Sequence, residues 1–158
     1  MTACAFGGAT LTPFADVVPR AKERVLVAAG LVCGAAGSRE SDLFLISRRP
    51  HGKHLAGSWE FPGGKIEGGE APAASLVREL REELGVEVEV GEIYAVGHHV
   101  YDEKEVVLLV YACRVIGGEP QCHEVAEFRW VSPTELVSVP LPPADAPVIE
   151  RLRRELAR

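Results

Sequence analysis

The chain has 158 residues, enough for one domain with a full core and too few for two ordinary ones. With 47% hydrophobic and 25% charged residues, and no apolar run near the roughly 20 residues that cross a bilayer, it reads as a soluble globular protein and not a membrane one. A formal net charge of −6 argues against a nucleic-acid polymer as partner, since that backbone is held by a basic surface.

The four cysteines, Cys4, Cys33, Cys113 and Cys122, form no C-x-x-C pair or zinc-like grouping, so the expectation is a reduced, cytoplasmic protein. The opening stretch to about Pro19 is rich in Gly, Thr and Pro and lacks the pattern of a secretory signal. It is expected to be a loose arm over residues 1–20, ahead of one domain over 21–158.

From Arg24, "RVLVAAGLVCG" reads as a buried strand and "DLFLISRR" (42–49) as its hairpin partner across "GAAGSRES". A polar, basic loop follows, and in "WEF" Trp59 and Phe61 alternate around Glu60 as in a short strand. "FPGGK" reads as a Pro-Gly turn. "APAASLVRELREEL" (71–84) has Pro72 near its start, Leu76, Leu80 and Leu84 at every fourth position and Gly85 as its stop, which predicts an amphipathic helix.

Strands are predicted in "VEVEVGEIYAVGHHV", "EVVLLVYACRVI" and "EFRWVS", with turns at "YDEK" and "GGEPQ". The final "DAPVIERLRRELAR" sets Ile149, Leu152 and Leu156 on one helical stripe, with Asp145 at the N-cap position. The order strands, helix, strands, helix predicts an α/β (α+β) fold, a mixed β-sheet sandwiched between helices.

In "RELREELGV" the carboxylates of Glu79, Glu82 and Glu83 fall on one helical face, where like charges repel. A solvated face accounts for such a run, and so does a hard divalent cation, which takes carboxylate oxygens and keeps waters to exchange for phosphate oxygens. Gly63, in a glycine pair after Pro62, is suited to turning a carbonyl toward that face.

Gly64, Glu70, Arg78-Glu79-Leu80, Glu82-Glu83 and Gly85-Val86 together give nine fixed positions over 23 residues, a stretch that resembles the signature of the Nudix hydrolases. "GSWEFPGGKIEGGE" and "LPPADAPVIERL" resemble the flanking segments of MutT-type nucleoside triphosphate pyrophosphohydrolases, and the resemblance runs from about Val25 to the C-terminus. It implies Mg²⁺, with Mn²⁺ as an alternative, held by Glu79, Glu82, Glu83, the Gly63 carbonyl and Glu124 from a distant loop. Glu70 and Arg78 stand behind these ligands, Arg78 steadying the glutamates through charge-assisted hydrogen bonds.

The implied reaction is metal-assisted water attack at phosphorus, releasing nucleoside monophosphate and pyrophosphate. Glu79, Glu82 and Glu124 are competing candidates for the base, and Glu83 completes the catalytic set. Arg49 and Lys65 are expected on the substrate's phosphates, while the histidines are not expected to be ligands.

Asp145 occupies the position where the oxidised-guanine enzymes carry Asn, and an ionised Asp, which only accepts, suits the exocyclic amine of cytosine. The expected substrate is therefore a small nucleotide, an oxidised guanine or a cytosine (deoxy)nucleoside triphosphate. Dinucleoside polyphosphates, with Tyr101 near a position where such enzymes carry tyrosine, and a non-catalytic nucleotide sensor are the alternatives. The chain is expected to act as a monomer or homodimer.

Overall fold

The computed structural model describes residues 22–53 and 55–158. The expected arm, residues 1–20, lies outside them. Among the described residues seven strands form one mixed sheet: β1 (Glu23–Cys33), β2 (Phe44–Arg48), β3 (Trp59–Glu60), β4 (Gly63–Lys65), β5 (Glu87–Val100), β6 (Lys104–Gly117) and β7 (Glu127–Val131). Their spatial order is β3-β2-β1-β6-β5, with β4 also on β1 and β7 also on β2.

The central strand is β1, buried through Ala28–Val32 as its continuous apolar run requires. Its long partner is β6, parallel from Glu23↔Lys104 to Cys33↔Arg114. The expected hairpin with β2 is antiparallel, but its registered pairs are only Val32↔Leu45 and Cys33↔Phe44. Further back along β1, the same edge carries β4, paired from Val27↔Lys65 to Ala29↔Gly63. The glycines read as a turn are therefore a strand, and the missing side chain is the reason: a Cβ on Gly63 would sit 2.2 Å from the Ala28 carbonyl oxygen.

The helices among the described residues are α1 (Pro72–Leu84), α2 (Pro133–Leu136) and α3 (Ala146–Leu156), with a 3₁₀ turn at Pro143–Asp145 before α3. Helix α1 has Pro at its start and stops at Gly85, whose φ of 70° is left-handed. Its Leu76, Leu80 and Leu84 are fully buried in one apolar cluster with Ala28, Val32, Leu45 and Val86. The opposite face buries Ala29, Leu31, Val110, Leu136, Val148 and Leu152 in a second cluster. Alternate residues of β1, Ala28 and Ala29, thus enter opposite cores, and the sheet is sandwiched between helices.

The buried stripe of α3 ends earlier than its periodicity predicts. Leu156 is 45% exposed, because the buried stripe of α3 is Val148, Ile149 and Leu152 and every residue after Leu152 faces solvent. Helix α2 was not anticipated, although its signal stands in the sequence: Ser132 and Glu135 form a reciprocal capping box.

Candidate active site

Helix α1 lays its acidic face across β4. A Cβ on Gly64 would lie 2.4 Å from Glu79 Oε2, so the strand meets the carboxylate only because residue 64 has no side chain. Gly63, at φ 153°, adopts a backbone conformation reserved for glycine, and its N–H donates to the Glu83 carboxylate. Glu79, Glu83, Gly63, Lys65, Arg49 and Glu124 line one cavity of about 410 Å³. Glu82 does not line it; its half-exposed carboxylate turns aside to accept from Arg78 Nη1 at 3.2 Å.

Arg78 ties the acidic face together. Its Nε and Nη2 donate to the two oxygens of Glu70 at 2.8 and 3.1 Å, and Nη1 donates to Glu79 at 2.8 Å. The Glu70 carboxyl is held down to about 2 by these bonds from Arg78, and Arg78 is held firmly in its charged form. The bidentate fork fixes where Glu79 points.

Glu124 arrives by a backbone device. The last carbonyls of a helix have no partner within it, and here Glu83 O accepts from the N–H groups of His123 (3.1 Å) and Glu124 (3.2 Å), and Leu84 O from Gln121 (2.9 Å). The loop is seated on the end of the helix that carries the other carboxylates.

Carboxylates crowd around Glu83 in the cavity. Burial, followed by the nearby charges of Glu60 and Glu79, pushes Glu83 up to about 8 despite the Gly63 bond and Lys53. Among the described residues, no three His, Cys, Asp or Glu side chains form a ready-made metal-holding group. The donor set still fits a hard divalent cation: two carboxylates of one helix face a strand of glycines, and a third sits on a docked loop. Their mutual repulsion is what a dication would relieve.

A second, smaller cavity of about 60 Å³ adjoins the first, and Arg49, Glu60, Gly63 and Lys104 line both. Its far wall is Asp145, only 4% exposed, beside Tyr101 and the apolar Phe61, Val106 and Leu108. Asp145 does stand at the N-cap position of α3, but its side chain makes no capping bond and is directed to the cavity instead. Burial, then the Glu60 charge, pushes its carboxyl up to about 8, opposed by Arg49.

Glu60 and Lys104 were not singled out in the sequence. Glu60 accepts from Arg49 Nε, and burial raises its carboxyl. A charged residue between two aromatics on a short strand was the available signal. Lys104 opens β6, and it sits here only because β6 runs parallel to β1. His98 and His99 lie elsewhere, against Glu105 and Tyr101.

The NUDIX domain model matches residues 24–152. The chain belongs to the Nudix family. This Nudix hydrolase is 42% identical over 106 residues to the CTP pyrophosphohydrolase of Escherichia coli, covering 67% of this chain and 78% of that one. It is 32% identical over 132 residues to the E. coli 8-oxo-dGTP diphosphatase, covering 84% and 98% of the two chains. Among solved structures it resembles the MutT protein of Methanosarcina mazei Go1, with a TM-score of 0.73, 27% identity and coverage of 87% and 98%. Nudix hydrolases as a family use a divalent metal, and among the described residues no helix is long and apolar enough to cross a membrane.

Proposed function

We propose that this Nudix hydrolase is a Mg²⁺-dependent pyrophosphohydrolase that converts modified or oxidised (deoxy)nucleoside triphosphates to the monophosphate and pyrophosphate. The observation that carries the reading is the pair of adjoining cavities, one where Glu79, Glu83 and Glu124 meet Arg49, Lys53 and Lys65, the other small, of mixed polarity and lined by the buried Asp145. On this reading the larger cavity takes the polyphosphate and the smaller one the base, and the names of the E. coli relatives support a cytosine or an 8-oxoguanine nucleotide as substrate.

Glu79, Glu83, Glu124 and the Gly63 backbone are the groups that would hold the cation, with Glu82 beside them. When bound, it withdraws charge from the phosphoryl oxygens and lowers the proton affinity of the attacking water. Arg78 keeps Glu79 aimed, and Lys65 and Arg49 face the polyphosphate, which an acidic protein must attract locally. The water's proton passes to Glu79, Glu82 or Glu124. The cavity lining supports Glu79 and Glu124 over Glu82.

Asp145 reads the base. Below about 8 its carboxyl is protonated and both donates and accepts, as the edge of an oxidised guanine requires; above that it only accepts, which suits the cytosine amine. Tyr101, in the same cavity, is the observation that keeps a dinucleoside polyphosphate as second reading.

The test is Mg²⁺-dependent hydrolysis of dCTP, 5-methyl-dCTP, 8-oxo-dGTP, ADP-ribose and diadenosine tetraphosphate, with the nucleotide products separated and pyrophosphate measured for the triphosphates. Preferred turnover of dCTP, 5-methyl-dCTP or 8-oxo-dGTP is expected. Preference for the tetraphosphate would move the assignment to the second reading, and no metal-dependent hydrolysis of any of them would overturn the hydrolase reading in favour of a nucleotide sensor.

A further inference from the structure

Ser47 lies in β2 with 1% of its surface exposed, and among the described residues its Oγ is a buried side-chain atom without a hydrogen-bond partner. An orphaned hydroxyl in a core costs about 1–3 kcal/mol, so an alanine here would be the more stable choice if packing were its only duty. The strand register says what stands next to it. Ser47 is paired directly with Glu60 of β3, and directly opposed residues of antiparallel strands point to the same face with Cβ atoms about 4.5–5.5 Å apart. Arg49, two residues along from Ser47, donates from Nε to the same Glu60 carboxylate.

Glu60 sits in the wall shared by the two cavities, buried enough that desolvation raises its carboxyl even with Arg49 attached. Arg49 lines both cavities as well. On the reading that Arg49 meets the substrate's phosphates, on which this inference rests, phosphate and Glu60 compete for one guanidinium. A Glu60 that lost its arginine would be a largely enclosed carboxylate without its hydrogen-bond donor, left with only the charges of Lys53 and Lys104, which is unfavourable.

We propose that Ser47 is a positioning residue that makes this exchange affordable: when polyphosphate draws Arg49 away, the Ser47 hydroxyl becomes the hydrogen-bond donor to Glu60. The exchange balances in hydrogen bonds. Arg49 leaves Glu60 for a phosphate oxygen, and Ser47 Oγ–H, unpartnered in the ligand-free protein, replaces it. Ser47 touches neither phosphorus nor metal and acts only through Glu60 and Arg49.

The test is calorimetric binding of inorganic tripolyphosphate to the wild type, Ser47→Ala, Ser47→Thr, Glu60→Gln and the double variant Ser47→Ala/Glu60→Gln, with melting of each ligand-free protein alongside. Ser47→Ala is expected to weaken binding about 10-fold while the ligand-free protein melts at the same or a higher temperature, since a hydrogen bond to a charged group contributes at least that much. Ser47→Thr, which keeps the hydroxyl, is expected to restore binding, and in the Glu60→Gln background removal of Ser47 is expected to cost little more. With dCTP as substrate the Ser47→Ala change is expected in KM more than in kcat.

Unchanged tripolyphosphate binding in Ser47→Ala, a full additive loss in the double variant, or no binding by the wild type would each overturn the proposal. Nucleotide hydrolysis insensitive to Ser47 would remove it and leave the proposed function standing. Ser47-dependent tripolyphosphate binding in a protein that hydrolyses none of the nucleotides would do the reverse.

Discussion

Asp145 and Arg78 show how differently two charged side chains can be used in one site. Asp145 is buried away from water and faces the Glu60 charge, which together outweigh Arg49 and push its carboxyl from its ordinary value, 3.8, up to about 8, so its hydrogen-bonding character changes near neutrality. Because the shift is upward, the donor is present below about 8 and lost as pH rises through that value. The ratio of kcat/KM for dCTP over 8-oxo-dGTP is therefore expected to rise between pH 7 and pH 9, and Asp145→Asn is expected to flatten that profile and favour 8-oxo-dGTP. A pH-independent ratio in the wild type would remove Asp145 as the base reader. Arg78 is fixed in charge and geometry by Glu70 and Glu79, so Arg78→Lys, which cannot form the bidentate fork, is expected to lower kcat/KM about 10- to 100-fold while the fold persists by circular dichroism.

Helix α1 carries the proposed metal-binding carboxylates and a large share of one core. Leu80 is fully buried under the acidic face, and Leu80→Ala is expected to destabilise by about 2–5 kcal/mol in urea unfolding. Leu156→Ala, in the exposed last turn of α3, is expected to change stability by no more than about 0.5 kcal/mol. These two leucines also mark what was legible in the sequence. The stripe in α1 was readable because 3.6-residue periodicity, Pro72 and Gly85 all agree, whereas the stripe in α3 was carried one turn too far because periodicity does not say where the partner surface ends. Strand β4 was hidden by its own glycines, whose local signal is a turn and whose reason for being there is the close approach of β1. Glu79, Glu83 and Gly63 were legible as a group because one helix and one turn bring them together; Glu60 and Lys104 join them only through strand pairings that no local pattern encodes.

At the scale of the molecule, the parallel pairing of β1 with β6 puts Lys104 beside the cavity, and the seating of residues 121–124 on the end of α1 brings in Glu124. Gly118 stands where a Cβ would meet the Gly85 carbonyl at 2.6 Å, at a φ of 77°. Gly118→Ala is thus expected to lift that loop, lowering kcat and raising the metal concentration needed for half-maximal rate, with the KM for nucleotide less affected. An unchanged metal requirement would separate the loop's seating from the site.

The acidic face of α1 unites these scales, and its role is tested most directly by titrating Mg²⁺ into the wild type, Glu79→Gln and Glu83→Gln while following melting temperature and pyrophosphate release from dCTP and 8-oxo-dGTP. In the wild type, melting temperature and rate are expected to rise over one range of Mg²⁺, because a cation bound by the folded state alone stabilises it. Both responses are expected to be lost or moved to much higher Mg²⁺ in the variants. Melting and turnover that ignore Mg²⁺, or variants that respond as the wild type does, would contradict the assignment of these carboxylates to a catalytic metal.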